Sequence, residues 1–233
     1  MKKKYLIIAP TPWELQAILD VFKPYMSLKK HPFTIHLCRH DHVEVNIYAS
    51  GMGVASTAFA VGYAMQNFHV SELVLMGFGG ITKDRSNLLG KMTIAASDRY
   101  LKFGAKSHNG FEDLSIKYDL LCDHNNKPPF TFHSHPWMHD MYESLHYGTC
   151  DELSSSEPDL DFLSKVYPDV SVENMEGAAC AQIANLYNIP CIQARAITNM
   201  VANRDTKSWL MEQAKAEISN FSKHLLSYWT QLK

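Results

Sequence analysis

Short apolar runs alternate with helix-patterned segments along most of the chain, and this alternation is the feature that most restricts the fold. Strand-like runs lie at 5–10, 33–38, 43–49, 72–76, 91–96 and 191–197, and helix-like patterns lie at 12–22, 54–68, 176–187 and 206–231. Strands that alternate with helices predict an α/β sheet with helices on both faces. In such sheets, ligands bind at the carboxyl ends of the strands.

Length, charge and cysteine content limit the class of protein. We expect residues 1–233 to form one domain, because the chain is long enough for a sizeable core and no clear linker divides it. The net charge of -2 argues against a nucleic-acid partner. No apolar run approaches the ~20 residues of a membrane span. The five cysteines include no CxxC pair, so we expect reduced thiols in a cytoplasmic protein. The polar segment 101–140 is expected to be rich in loops.

A carboxylate directly follows the first predicted strand. Thr11, Pro12 and Glu14 have the spacing of a capping box, with proline at the first helical position. The same carboxylate stands at a strand end, where a catalytic group would be placed. The pattern alone leaves both interpretations open. The two roles are compatible only if the carboxylate is free of the backbone, so we expect one of them to dominate.

The sequence SGMGVAS at 50–56 lies between a predicted strand and a predicted helix. It imitates a dinucleotide fingerprint, but Ser56 occupies the place of the third glycine, and Glu72 precedes a strand instead of ending one. We therefore expect no NAD and no other cofactor. Gly51 and Gly53 still predict a tight turn that lets a ligand approach the backbone at a helix N-terminus.

Three histidines, His133, His135 and His139, lie close together in the middle of the chain. Their spacing suits a metal ion, but no cysteine or carboxylate completes a recognisable ligand pattern. We expect solvent-facing loop histidines and no bound metal. Walker and G-x-S-x-G sequences do not occur, which argues against a P-loop enzyme and a serine hydrolase.

The stretch VENMEGAA at 172–179 sets Glu173 and Glu176 before a run of very small residues. A glutamate in this position is favoured by the dipole of the following helix, or it is aimed at a ligand. The stretch RAITN at 195–199 begins with Arg195 inside an apolar strand, where a charged side chain needs a partner. Its last two residues stand at the carboxyl end of that strand.

Taken in order, five stretches resemble the purine nucleosidase and nucleoside phosphorylase superfamily. They are Glu14 after the first strand, SGMG at 50–53, GFGG at 77–80, VENMEGAA at 172–179 and RAITN at 195–199. Within that superfamily the pattern is most similar to the futalosine hydrolases, a likeness that includes NRDTKSW at 203–209. The methylthioadenosine/S-adenosylhomocysteine nucleosidases come next.

The resemblance implies a single domain with a mixed central sheet in a three-layer fold, a small-molecule nucleoside substrate and a homo-oligomer. It implies that Glu176 binds the ribose hydroxyls, that Met175 covers the apolar face of the sugar, and that Glu14 activates the attacking water. Asn199 is expected to act with Glu14 as a catalytic residue, and Gly53, Gly79 and Thr198 are expected to bind the substrate. Phe78 and the segment 149–154 are candidates for the purine pocket by position only.

Three positions bear on the reaction and on the base. Phosphorylases of the superfamily place an arginine and a serine where this chain has Leu75 and Phe78, so the resemblance favours hydrolysis. Asn199 stands where adenine-specific relatives have aspartate, and an amide can donate to a 6-oxopurine whereas an ionised carboxylate cannot. We therefore expect hypoxanthine to be released from futalosine. An adenine-directed nucleosidase, a nucleoside phosphorylase and a non-catalytic nucleoside-binding module are the alternatives.

The sequence leaves the binding of the carboxyphenyl end of futalosine open. Arg204 is a candidate, because a guanidinium suits a carboxylate. A surface ion pair between Arg204 and Asp205 is the alternative.

Overall fold

The computed structural model describes residues 3–108, 110–118 and 126–232. The strands within them are β1 (Lys4–Ala9), β2 (Met26–Lys30), β3 (Phe33–His40), β4 (Val43–Ala49), β5 (Glu72–Ile81), β6 (Met92–Tyr100), β7 (Gly104–Ser107), β8 (Gly110–Asp113), β9 (Phe130–Thr131), β10 (Glu143–Thr149), β11 (Val172–Asn174) and β12 (Cys191–Met200). The helices are α1 (Pro12–Phe22), α2 (Val54–Asn67), α3 (Leu114–Lys117), α4 (Pro136–Met141), α5 (Glu157–Val166), α6 (Gly177–Leu186) and α7 (Met211–Gln231).

Strand β1 explains why helices cover both faces of the sheet. Tyr5, Ile7 and Ala9 belong to a core that includes α1 and α7, whereas Leu6 and Ile8 pack in a second core with α2 and α6. Successive side chains of a strand point to opposite faces. A continuous apolar run therefore needs a helical layer on each side. The predicted α/β architecture, a central sheet flanked by helices, is confirmed.

The central sheet is mixed, and one part of it closes on itself. Its strand order is β11-β10-β6-β12-β5-β1-β4-β3-β2, and β11 also pairs with β5 in antiparallel fashion. Strands β5, β12, β6, β10 and β11 thus form a closed ring. In the same sheet β5 runs parallel to both β1 and β12. The carboxyl ends of β1, β5 and β12 therefore lie side by side.

Two strands run further than the sequence predicts. Strand β5 continues past residue 76 to Ile81, and β12 continues past residue 197 to Met200. The extensions pair with each other, with Asn199 opposite Gly80 and Met200 opposite Ile81. This pairing outweighs the weak strand preference of glycine. The predicted strand ends are therefore wrong, and the site residues on these two strands lie within the sheet.

The polar middle of the chain is only partly loop. It contains the β7–β8 hairpin, α3, β9 and most of α4, while residues 109 and 119–125 lie outside the described part. The last predicted helix begins later than expected, at Met211, because Thr206–Ser208 forms a separate 3-10 turn.

Four cysteines, Cys38, Cys150, Cys180 and Cys191, are buried free thiols, as predicted, and Cys122 lies outside the described residues. Among the helices described, none has both the length and the apolar composition that a bilayer crossing requires.

Candidate active site

A cavity of about 560 Å³ lies at the carboxyl ends of β1, β5 and β12. The cavity is lined by all but one of the site residues that the sequence predicts. These residues are Glu14, Phe78, Gly79, Met175, Glu176, Thr198 and Asn199. The exception is Gly53, the residue before α2, whose backbone N–H donates to Glu176 Oε1 at 3.1 Å. The parallel arrangement of the three strands thus gathers residues from distant parts of the chain at one site.

Glu14 lies in the first turn of α1, is only 3% exposed, and accepts three hydrogen bonds. The backbone N–H and the hydroxyl of Thr11 donate to Oε2 at 2.8 and 2.5 Å, and the backbone N–H of Phe78 donates to Oε1 at 2.7 Å. The predicted capping box is therefore present. The carboxylate is not free of the backbone, yet it lines the cavity. The expected conflict between capping and facing a ligand does not arise in this geometry.

The hydrogen bonds of Glu14 also define where it can accept a further proton. An ionised carboxylate has about four lone-pair sites. Thr11 occupies two on Oε2 and Phe78 occupies one on Oε1, which leaves the remaining site on Oε1. Burial raises the pKa of Glu14 from 4.5 to about 7, although these hydrogen bonds and the charge of Arg195 lower it. A carboxylate that titrates near neutrality is suited to general base catalysis at neutral pH.

Gly77 allows Glu14 and β5 to approach each other. A Cβ atom on Gly77 would lie 2.8 Å from Glu14 Oε1, 2.7 Å from Arg195 Nη1 and 3.1 Å from the ring of Pro10. Carbon atoms do not tolerate such distances to their neighbours. Any larger residue at this position would move the carboxylate or the guanidinium.

Glu176, which lines the cavity, forms a buried ion pair with Arg195. Arg195 Nη1 is 3.0 Å from Glu176 Oε2, and the two side chains are 1% and 5% exposed. Arg195 thus has the partner that its place in an apolar strand requires. Glu176 also accepts from Gly53 through Oε1, so each of its oxygens has one lone-pair site left. It can accept hydrogen bonds from two ligand hydroxyl groups.

Asn174 holds this ion pair in place, and sequence reasoning missed it. Its Oδ1 accepts from the backbone N–H of Glu176 at 3.0 Å and from Arg195 Nη2 at 3.1 Å. Its Nδ2 donates at 2.8 Å to Asp98, which is fully buried and whose pKa burial raises to about 6. An asparagine two residues before Glu176 was the available signal, because a short polar side chain often bonds the backbone that follows it.

Glu173 has a different role from Glu176. Its carboxylate accepts the backbone N–H of Ser154 at 3.1 Å and the Ser154 hydroxyl at 2.7 Å. These bonds fix the segment after β10, and Asp151, Leu153 and Ser154 of that segment line the cavity. Glu173 thereby shapes one wall of the cavity.

Thr198 and Asn199 occupy the end of β12. The Thr198 hydroxyl donates to Asn199 Oδ1 at 2.7 Å, and Asn199 Nδ2 donates to the carbonyl of Met200 at 2.8 Å. A carbonyl only accepts, so this bond fixes which side-chain atom of Asn199 is the nitrogen. The second N–H of the amide has no hydrogen-bond partner among the described residues, and Asn199 lines the cavity.

Part of the cavity lining is aromatic and apolar, and the guanidinium of Arg204 lies beside it. Trp13, Met52, Leu153, Trp209 and Met211 contribute to this part. The guanidinium of Arg204, also in the lining, lies 5.2 Å from the centre of the Trp209 ring. Asp205 accepts from the backbone of Lys207 and caps the 3-10 turn. An aromatic surface beside a guanidinium is suited to a ligand that carries both an apolar group and a negative charge.

Two sequence interpretations are corrected by the structure. Leu75 is fully buried in the core and does not line the cavity, so only Phe78 bears on phosphate binding there. His135 is only 8% exposed, so the prediction of solvent-facing loop histidines is wrong for this residue. His133 and His139 are exposed, as predicted, and His139 belongs to α4.

Comparison with known proteins identifies similar chains. A family model described as the phosphorylase superfamily matches residues 4–228. A 5'-methylthioadenosine/S-adenosylhomocysteine nucleosidase of Maridesulfovibrio salexigens is 25% identical over 211 residues, which cover 89% of this chain and 90% of the relative.

Solved structures with the same fold include two kinds of nucleosidase. The native futalosine hydrolase of Helicobacter pylori has a TM-score of 0.75 at 18% identity and covers 100% of this chain and 99% of its own. A methylthioadenosine/S-adenosylhomocysteine nucleosidase of S. pneumoniae with a transition-state inhibitor has a TM-score of 0.77 at 21% identity, covering 99% and 100%. At these identities the likeness establishes the fold, and both kinds of enzyme share it equally well.

Proposed function

The chain belongs to the phosphorylase superfamily, and from that membership we propose that it is a nucleosidase that hydrolyses the N-glycosidic bond of futalosine and releases hypoxanthine. The observation that carries the proposal is the meeting of two buried carboxylates, Glu14 and Glu176, with the donor amide of Asn199 in one cavity. A nucleosidase needs groups of these three kinds, one each for water, ribose and base.

The proposed reaction uses each group once. Water attacks C1' of the ribose and gives a proton to the unoccupied site on Glu14 Oε1. The C1'–N bond breaks, and its electron pair leaves with the purine. The purine anion takes up a proton from solvent to give hypoxanthine, and Glu14 returns its proton to solvent. Positive charge develops on the ribose in the transition state, and the carboxylate of Glu176 stabilises it more than it stabilises the ground state. Met175, in the cavity lining beside Glu176, covers the apolar face of the sugar.

The choice of hypoxanthine rests on Asn199. Its amide retains one N–H after bonding Met200, and this donor suits the carbonyl or N7 edge of a 6-oxopurine. The same hydrogen bond stabilises the negative charge that the departing purine gains. At the 6-position adenine presents a donor amino group instead of a carbonyl, and a donor facing a donor is repulsive.

The choice of futalosine over a simple nucleoside rests on the aromatic part of the cavity lining and on Arg204. The carboxyphenyl end of futalosine combines an aromatic ring with a carboxylate. Trp209 offers a surface for stacking, and Arg204, held over that ring, offers a charged hydrogen bond to the carboxylate. Phe78 supports hydrolysis over phosphorolysis, because its apolar side chain offers phosphate no donor.

An adenine-directed nucleosidase is the second candidate, and the relative from Maridesulfovibrio salexigens favours it. The similarity covers most of both chains, and that relative is a 5'-methylthioadenosine/S-adenosylhomocysteine nucleosidase. Asn199 and Arg204 argue against it. We further propose a homo-oligomer in the cytoplasm, which sedimentation of the purified protein and fractionation of the source cells would test.

The test is to incubate the protein with futalosine, inosine and methylthioadenosine, each with and without phosphate, and to identify the base and the sugar by chromatography. We expect hypoxanthine and an unphosphorylated sugar from futalosine, at a rate that phosphate does not change. Preferred release of adenine would establish the second candidate. A sugar 1-phosphate would indicate a phosphorylase, and the absence of any product would indicate a binding module.

Arg204→Ala separates futalosine from inosine as substrates. It should raise KM for futalosine by roughly 10- to 150-fold, since a charge-assisted hydrogen bond contributes about 1.5–3 kcal/mol and each 1.4 kcal/mol is a factor of ten, and it should leave inosine cleavage unchanged. Lys207→Ala removes an exposed cation from the 3-10 turn that follows Arg204 and is the matched control. Equal effects of the two variants on futalosine would remove Arg204 from the proposed site.

A further inference from the structure

Glu72, His133 and His135 come together at the end of β5 that is remote from the cavity. His135 Nε2 lies 2.9 Å from Glu72 Oε2, and His133 Nε2 lies 3.9 Å from the same oxygen. One potential ligand atom from each residue lies within 4.8 Å of the others. Two ligand atoms bound to a tetrahedral zinc ion at 2.0–2.1 Å are about 3.3 Å apart. The two distances to Glu72 Oε2, 2.9 and 3.9 Å, lie on either side of this value.

The neighbours of the cluster already orient two of its members. Glu72 is the first residue of β5, and its other oxygen, Oε1, accepts from Trp229 Nε1 at 2.9 Å. This bond turns Oε2 toward the two imidazoles. The backbone N–H of His133 donates to the carbonyl of Cys191 at 2.7 Å, which attaches the histidine segment to β12. Such outer hydrogen bonds typically orient the ligands of metal sites.

One ring nitrogen of His135 lacks a hydrogen bond within the described residues. Its Nε2 is buried and has no hydrogen-bond partner there, because the 2.9 Å approach to Glu72 lacks the geometry of a hydrogen bond. A buried polar atom without a partner costs free energy. A cation bound to both the imidazole nitrogen and the carboxylate oxygen would remove that cost. The side chain of His133 is 43% exposed and leaves a path for the ion and a water ligand.

We infer that Glu72, His133 and His135 bind one divalent transition-metal ion of the zinc type. Two imidazoles and one carboxylate favour Zn²⁺, Co²⁺ or Ni²⁺ over Mg²⁺ and Ca²⁺, which prefer oxygen ligands. Water completes the tetrahedron. Phe78 stands six residues after Glu72 on β5, about 20 Å away at the rise of a strand. The ion therefore joins β5 to the segment before α4 and takes no part in the proposed hydrolysis.

The histidine spacing was visible in the sequence, but the missing ligand was not. Glu72 lies 61 residues before His133 in the chain, and only the packing of β5 against this segment brings the two together. His139, the third histidine of the sequence cluster, bonds Ser134 instead and does not join the group.

The test uses the full chain without a histidine tag, titrated with Zn²⁺ by calorimetry and with Co²⁺ by visible absorption. His133→Ala removes an exposed ligand, and Glu72→Gln keeps an acceptor for Trp229 while removing the charge. His139→Ala is the matched control, because this exposed histidine lies close by in the sequence. Since the chain has 12 histidines, the difference between variants, and not weak binding itself, decides the result.

We expect one equivalent of Zn²⁺ in the wild type and in His139→Ala, with tetrahedral Co²⁺ absorption and a higher unfolding temperature on zinc addition. His133→Ala and Glu72→Gln should each weaken binding by about tenfold or more. Chelation should lower the unfolding temperature of the wild type. Equal zinc affinity in His133→Ala, His139→Ala and the wild type, or no stoichiometric binding in the wild type, would overturn the inference.

Discussion

Replacing Glu14 with glutamine tests the central group of the proposed reaction. The variant keeps the size of the side chain and removes its charge. The rise of the Glu14 pKa from 4.5 to about 7 means that the fold disfavours the ionised form by about 3 kcal/mol, since one pKa unit corresponds to 1.36 kcal/mol. The unfolded chain releases this proton near pH 4.5 and the folded chain near pH 7. The wild type therefore loses stability as the pH rises between these values.

Glutamine does not ionise, so the variant does not lose stability as the pH rises. It destabilises the fold in a different way. The NH₂ group of the glutamine must face the backbone N–H of either Thr11 or Phe78. Two donors then face each other, and no hydrogen bond forms between them. A buried donor left without an acceptor costs about 1–3 kcal/mol. Above pH 7 the two effects nearly cancel, and we expect the free energies of unfolding to agree within about 2 kcal/mol. At pH 5 the wild type should be the more stable protein.

The activity of Glu14→Gln should fall much further than its stability. Loss of a general base lowers the rate by roughly 10²–10⁴. The assay is kcat/KM for futalosine between pH 5 and 9, together with urea unfolding at pH 5 and 8. In the wild type kcat/KM should rise with pH to a plateau as Glu14 ionises near pH 7, and this rise should be absent from the variant.

Thr11→Val is the companion variant. It removes a hydrogen bond that lowers the pKa of Glu14, so the rise of kcat/KM should move to higher pH with the plateau preserved. Near-normal turnover of Glu14→Gln would refute the proposed base and leave Glu14 as a helix cap. The same conclusion would follow if Thr11→Val did not move the pH profile.

Glu176→Gln should lower kcat more than it raises KM, because the ribose contacts strengthen in the transition state. It should also lower the free energy of unfolding by about 3–5 kcal/mol, since Arg195 loses its buried partner. Steady-state kinetics and urea unfolding measure the two effects. An unchanged kcat would contradict the role of Glu176 in binding ribose. Asn199→Asp should lower kcat/KM for futalosine by roughly 10³–10⁴ and increase the relative activity on methylthioadenosine. The variant replaces the donor Nδ2 with a carboxylate oxygen, and this acceptor then faces two other acceptors, the carbonyl of Met200 and the edge of a 6-oxopurine. Kinetics with both substrates test this, and intact futalosine cleavage would exclude the assignment of the base. Gly77→Ala should lower kcat by about tenfold or more, because the new Cβ displaces Glu14 or Arg195. Gly62→Ala, where a Cβ meets nothing within 4 Å, is its control, and equal kcat in the two variants would contradict the argument.

The sequence by itself determined the features that depend on neighbours in the chain. The apolar run of β1 and the pattern of α1 define the first strand and helix without help from the rest of the protein. The capping box joins Thr11 and Glu14, which are three residues apart. Interactions of this range are set by local stereochemistry and periodicity. The resemblance of five ordered stretches to one superfamily is likewise a property of the linear sequence, and the family match confirms it.

Only the tertiary structure decided how these parts act on one another. Glu14 receives a hydrogen bond from Phe78, 64 residues away, and Glu176 receives one from Gly53, 123 residues away. The raised pKa of Glu14, the extension of β5 through its glycines and the meeting of Glu72 with His135 also arise from distant contacts. Burial, desolvation and strand pairing depend on which surfaces exclude water together. These surfaces exist only once the sheet has closed and its helices have packed, so no local pattern in the chain could reveal them.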